Sequence, residues 1–139
     1  MKAAPRAASS PRILLSFDFG TRRVGVASGN TVTRTATPLA TLAAEGDARF
    51  DAIARLLREW APDALVVGVP RHPDGAPHDN TRRAQRFARQ LAGRYGLPVH
   101  EVDERYTTTE AHSMGAADAD AAAAVLILEQ YLRNETPPP

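Results

Sequence analysis

The chain has 139 residues, no cysteine, 43% hydrophobic and 24% charged residues, and a formal net charge of +1. That length suits one globular domain, and the lack of cysteine excludes disulfides, thiolate nucleophiles and Cys-based zinc sites. A net charge so near zero does not by itself mark a nucleic-acid binder, so that argument must rest on where the charges lie.

Residues 1–11 carry no continuous apolar stretch of signal-peptide type, and no run in the chain approaches the ~20 apolar residues that cross a bilayer. They are expected to be a flexible tail of a cytoplasmic protein. Ile13 to Asp18 is an apolar run that reads as a buried strand and delivers a carboxylate at its end. Gly20-Thr21-Arg22 turns the chain, and Arg23 to Ser28 returns as a second strand. Thr33 to Leu42 reads as a third strand, and such short connections imply an antiparallel meander.

Asp47 to Trp60 then has helical spacing, with Phe50, Ile53, Ala54, Leu57 and Trp60 on one face and Pro62 as the stop. Ala64 to Val69 is uninterrupted and apolar, as in a central strand covered on both faces. Pro70 to Gly75 follows as a turn-rich loop. Thr81 to Tyr95 is a second helix with Ala84, Phe87, Ala88 and Leu91 inward, and Gly96 is placed to cap it. Leu97 to Val102 is the fifth strand. Thr107-x-x-Glu110 matches a capping box, and Ala119 to Leu132 is a largely apolar last helix. Residues 134–139 form a Pro-rich tail, which leaves 12–133 as one domain. The order β-β-β-α-β-α-β-α predicts an α/β fold: a mixed five-stranded sheet, meander plus parallel strands, flanked by helices.

Carboxylates stand at three element ends: Asp18, the Asp103-Glu104 pair, and Asp118-x-Asp120. Each has an ordinary reading. Asp18 could bond its own turn, Asp103-Glu104-Arg105 could be a solvated charge cluster, and Asp118 suits an N-cap. Together they suggest a shared site, because carboxylates that converge at strand ends stay ionised only if a cation joins them. Oxygen donors alone select a hard ion such as Mg2+ or Mn2+. Positions 118 and 120 lie about 200° apart around a helix, and Asp120 shares its stripe with Ala124, Ile127 and Tyr131. Asp120 is therefore the inward carboxylate and Asp118 the cap. Whether Asp103 or Glu104 joins them is left open by the spacing. The histidines, at 72, 78, 100 and 112, lack ligand spacing and are expected in loops or at the surface.

Basic residues are nearly all arginine. Arg82, Arg86 and Arg89 fall at i, i+4 and i+7 on one helix face, as a phosphate-tracking stripe or as the charged outer face of any amphipathic helix. Arg22, Arg23 and Arg105 each adjoin a candidate ligand.

Asp18-Phe19-Gly20-Thr21-Arg22-Arg23-Val24-Gly25-Val26-Ala27, then Thr37-Pro38-Leu39, Val67-Gly68-Val69-Pro70, Asp103-Glu104-Arg105-Tyr106-Thr107-Thr108 with Glu110-Ala111, and Asp120 before its Ala-rich helix, run in order from Ile13 to Leu132. This set resembles the YqgF family, also called RuvX or Holliday-junction-resolvase-like. The resemblance implies a ribonuclease-H-like fold and a cytoplasmic, metal-dependent nuclease of 16S rRNA precursor. Carried over by position, Asp18, Glu104 and Asp120 would be the catalytic and metal-binding triad, with Mg2+ or Mn2+ as cofactor. Gly20, Thr21, Arg22 and Arg105, together with Arg82 and Arg86, would meet the nucleic acid. Structured RNA and branched DNA both fit such a site, and a non-catalytic RNA-binding assembly module is a third reading. An Asp-x-Gly-Thr turn also opens the phosphate loop of sugar kinases and actin-like ATPases, but those need two such domains.

Overall fold

The computed structural model describes residues 12–72, 74–76, 79–104 and 116–134. Its elements are β1 (Ile13–Phe19), β2 (Val24–Asn30), β3 (Ala36–Leu42), α1 (Gly46–Trp60), β4 (Ala64–Val69), α2 (Thr81–Tyr95), β5 (Val99–Asp103) and α3 (Ala116–Asn134). They form one five-stranded sheet in the order β3-β2-β1-β4-β5. The meander β1-β2-β3 is antiparallel, and β1 pairs in parallel with β4, as β4 does with β5.

Three boundaries differ from expectation for local reasons. β3 starts at Ala36 rather than Thr33, because the Asn30 side chain accepts the backbone N–H groups of Val32 and Thr33 and holds the chain in a turn. Arg34 then takes a left-handed φ of 58° that a strand cannot contain. β5 starts after Pro98, which has no N–H for the ladder. α3 starts at Ala116, so Asp118 lies inside the helix rather than at its N-cap; its side chain falls outside the described residues, as do Arg105, Thr107 and Glu110.

Strand alternation sorts the core into two layers. On one face Leu15, Phe17, Val24, Val26, Leu65 and Val67 pack against Phe50 and Ile53 of α1 and Phe87, Ala88 and Leu91 of α2. Phe87 sits among Phe17, Phe19 and Phe50, with ring centroids 5.1–6.1 Å away. On the other face Leu14, Ala64, Val66 and Val102 meet Ile127, Leu128 and Leu132 of α3. His100 belongs to this layer, half-buried in β5 and stacked on Tyr131 at 5.1 Å, rather than in a loop or at the surface as expected. A lone histidine at an alternating strand position is a packing residue, and burial lowers its pKa.

The α3 face of β2 is small throughout: Gly25, Ala27 and Gly29 alternate along it. A Cβ on Gly25 would overlap the backbone carbonyl of Asp120, and one on Gly29 would stand 2.9 Å from Leu128 Cδ2. This stripe lets α3 lie close on the sheet. Ser16, fully buried on the same face, ties the helix down by donating to the Ala124 carbonyl at 2.7 Å.

Candidate active site

Asp18, on β1, stands in register with Gly25 of β2 and Gly68 of β4, and Gly68 in turn with Val102 of β5. Register partners project on one face of a sheet, so Asp18 points to the α3 side, between two residues that have no side chain. Each glycine leaves room for another acid. A Cβ on Gly68 would overlap the Glu104 carboxylate and Ile127 Cδ1, and one on Gly25 would strike the backbone of Asp120. Three of the sequence-predicted residues are thus gathered where the C-terminal ends of β1, β4 and β5 meet the first turns of α3.

Alternation also decides between the two acids after β5. Asp103 is opposite Val69 and shares its face with the α1–α2 layer. Glu104 follows on the face of Val102, buried, with its carboxyl hydrogen-bonded to that of Asp18. Burial pushes the Glu104 carboxyl up to about 9, and the neighbouring charge of Asp18, the hydrogen bond to Asp18 and the charge of Asp103 push the same way. Two carboxyl groups in such contact share one proton, with protonated Glu104 donating to Asp18.

Asp120 lies in the first turns of α3, and its carboxylate is engaged. Arg23 Nε donates to Asp120 Oδ2 at 2.6 Å. Among the described residues no three acidic or imidazole groups are clustered closely enough to enclose a metal ion. Two acids touch and the third is drawn aside. The donor set still suits a hard cation, because it is made of oxygens alone.

The turn beside Asp18 is held by a residue that the sequence pattern did not single out. Arg49 of α1 is 6% exposed and donates to the carbonyls of Thr21 (3.0 Å) and Ala44 (2.8 Å), with its guanidinium 5.5 Å from the centre of the Phe19 ring. It fixes the backbone of the turn, while the side chains of Thr21, Arg22 and Arg23 stay exposed. Gly20 is required for close approach, since a Cβ there would lie 2.5 Å from the Arg23 carbonyl.

Arg82 and Arg86 are exposed on α2, which covers the sheet face opposite α3. The structure does not bring them into contact with the acids. It places the start of α2 at the same end of the sheet, where Thr81 donates to the Pro70 carbonyl just past β4. α2 holds five arginines and no acidic residue.

The RuvX family, described as Holliday junction resolvase, matches residues 12–134. This chain belongs to the RuvX family. It is 63% identical over 134 residues to a protein of Polaromonas sp. named "Putative pre-16S rRNA nuclease", covering 96% of this chain and 97% of that one. A protein of the same name from Albidiferax ferrireducens is 65% identical over 127 residues, covering 91% and 81%. Among solved structures, T. thermophilus RuvC in complex with a Holliday junction substrate superposes with a TM-score of 0.54 at 16% identity, over 88% of this chain and 96% of that one. The fold of this RuvX member is therefore ribonuclease-H-like, as the sequence resemblance implied.

Proposed function

We propose that this RuvX member is a metal-dependent endonuclease that cleaves phosphodiester bonds of structured RNA, with 5′-end processing of 16S rRNA precursor as its reaction. The Asp18–Glu104 carboxyl pair carries this reading: two buried-edge acids held against each other between glycines, with Asp120 on the adjoining helix. Asp18, Glu104 and Asp120 would hold Mg2+ or Mn2+, and an ion so bound activates water and stabilises the leaving oxygen.

The remaining groups bind and orient. To serve as a ligand, Glu104 would have to release to solvent the proton it shares with Asp18. The Gly20-Thr21-Arg22 turn, its backbone fixed by Arg49, offers an exposed arginine four residues after Asp18 in the chain. Arg82 and Arg86, with Arg105 next to Glu104 in the chain, supply further phosphate contacts, which arginine makes in bidentate form. The family's description also favours a second substrate, branched DNA.

The test is incubation of the purified protein with a 16S precursor fragment and, in parallel, a four-way DNA junction, with and without Mg2+ or Mn2+. Metal-dependent cleavage of the RNA that is lost in Asp18→Asn is expected. RNA binding without cleavage in any metal would overturn the nuclease reading in favour of an assembly module; cleavage of the junction alone would replace the substrate.

A further inference from the structure

Arg23 has no part in the reading above, yet it makes a direct charge contact with one of the three acids. Its side chain is 46% exposed and that of Asp120 24%, so the ion pair lies at the mouth of the site, wet and exchangeable. Both ends are anchored through backbone. Gly20 lets the turn close on the Arg23 carbonyl, and the Asp120 backbone is seated on Gly25, the register partner of Asp18. The Asp120 main chain therefore lies over the register partner of Asp18, while its carboxylate is held by Arg23.

We propose that Arg23 is an internal counter-cation for Asp120, competing with a divalent ion for that carboxylate and gating completion of the three-acid site. This rests on the metal-binding reading of Asp18, Glu104 and Asp120. Arg23 is on this view a positioning residue, not a catalytic one. Without an ion, its guanidinium neutralises a carboxylate that would otherwise face Asp18. When an ion enters, Asp120 must leave Arg23, so the strength of that pair is subtracted from the ion's affinity.

Mn2+ binding to the full chain, followed by the loss of free-ion electron paramagnetic resonance signal, tests this without recourse to activity. Arg23→Gln is expected to bind Mn2+ about 2- to 5-fold more tightly than the wild type, the range that an exposed ion pair supports. Arg22→Gln removes the same charge one residue away and frees no carboxylate. Its effect is expected to be smaller, about 1.5-fold or less in 0.15 M salt, where charges at this distance are partly screened. In an Asp120→Asn background the Arg23→Gln gain should vanish. Equal gains in the two arginine variants would overturn the proposal and leave only a general charge effect. Weaker Mn2+ binding in Arg23→Gln would also overturn it, since Arg23 would then be orienting Asp120 for the ion. The underlying metal reading fails separately, and takes the proposal with it, if Asp18→Asn binds Mn2+ as the wild type does. Unchanged urea midpoints for the two exposed arginine variants confirm that folding is not what the titrations report.

Discussion

Replacing Glu104 by Gln is expected to stabilise the ion-free protein at neutral pH. The Glu104 carboxyl is buried beside Asp18 and is pushed up to about 9 from an ordinary 4.5. Below 4.5 the folded and unfolded chains both keep the proton, and nothing is lost. Between the two values the folded protein holds a proton that the unfolded chain has released, so stability falls as pH rises, by up to about 1.4 kcal/mol per pH unit. From 4.5 to pH 7 this amounts to about 3 kcal/mol, a large share of the 5–15 kcal/mol typical of a small domain. The amide introduced by Glu104→Gln has no titrating proton, and its N–H would donate to Asp18 as the protonated acid does. Urea unfolding of both proteins in EDTA from pH 5 to 8.5 reads the difference: the wild type should weaken relative to Glu104→Gln as pH rises, with the gap near 3 kcal/mol at pH 7. Saturating Mn2+ should reverse the order, because an ion that binds only the folded wild type adds stability by mass action. A gap that does not vary with pH would refute the shared-proton account, and so would a variant less stable than the wild type at every pH.

Gly25→Ala and Gly68→Ala should both destabilise, by more than about 1–3 kcal/mol at Gly25, where the new methyl meets the rigid backbone of Asp120, and within that range at Gly68, where side chains can yield; thermal unfolding ranks them. Arg49→Met should lower stability by about 2–4 kcal/mol by leaving the Thr21 and Ala44 carbonyls without their charged donor, and an Arg49→Lys variant that failed to recover part of this in urea titrations would argue against the clamp. Arg82→Ala with Arg86→Ala should leave stability within about 0.5 kcal/mol. The same pair should reduce the slope of log K against log salt for duplex RNA by about 1.8, if each arginine neutralises one phosphate.

The parts of the fold that were legible from residues alone are those with local causes. β4 is apolar at all six positions and is buried at all six. α2 begins and ends where its spacing and Gly96 place it. The stripe that Asp120 shares by helical period is buried further along, at Ala124 and Ile127. What depends on pairing was not legible. Asp103 and Glu104 differ by one residue, hence by one face of the sheet, and only the parallel register of β5 on β4, with Val102 opposite Gly68, decides between them. The small stripe of Gly25, Ala27 and Gly29 was visible in the sequence and identifies the strand on which a helix can lie closely. Arg49 was missed because an arginine on an amphipathic helix reads as solvated, and its targets are carbonyls 5 and 28 residues away. The Arg23–Asp120 contact spans 97 residues, and no local rule predicts it.

Three acids at one edge of a sheet pose an electrostatic problem before any ion arrives, and two different devices meet it. The buried acid, Glu104, escapes ionisation: leaving water disfavours its charged form, and Asp18 both repels the charge and accepts the hydrogen bond of the protonated acid. The acid at the mouth of the site, Asp120, is instead held by Arg23 within reach of water. The two devices respond to different variables. Proton sharing weakens as pH rises, whereas the arginine pair weakens with salt. A cation that joins all three acids must undo both. Its affinity should therefore climb with pH through Glu104 and climb with salt relative to an Arg23→Gln variant, against the general screening that salt imposes on any ion–carboxylate contact. Mn2+ titrations over a grid of pH and salt separate the two contributions. An advantage of Arg23→Gln that stayed constant as salt rose would mean that the ion pair is not what holds Asp120 aside.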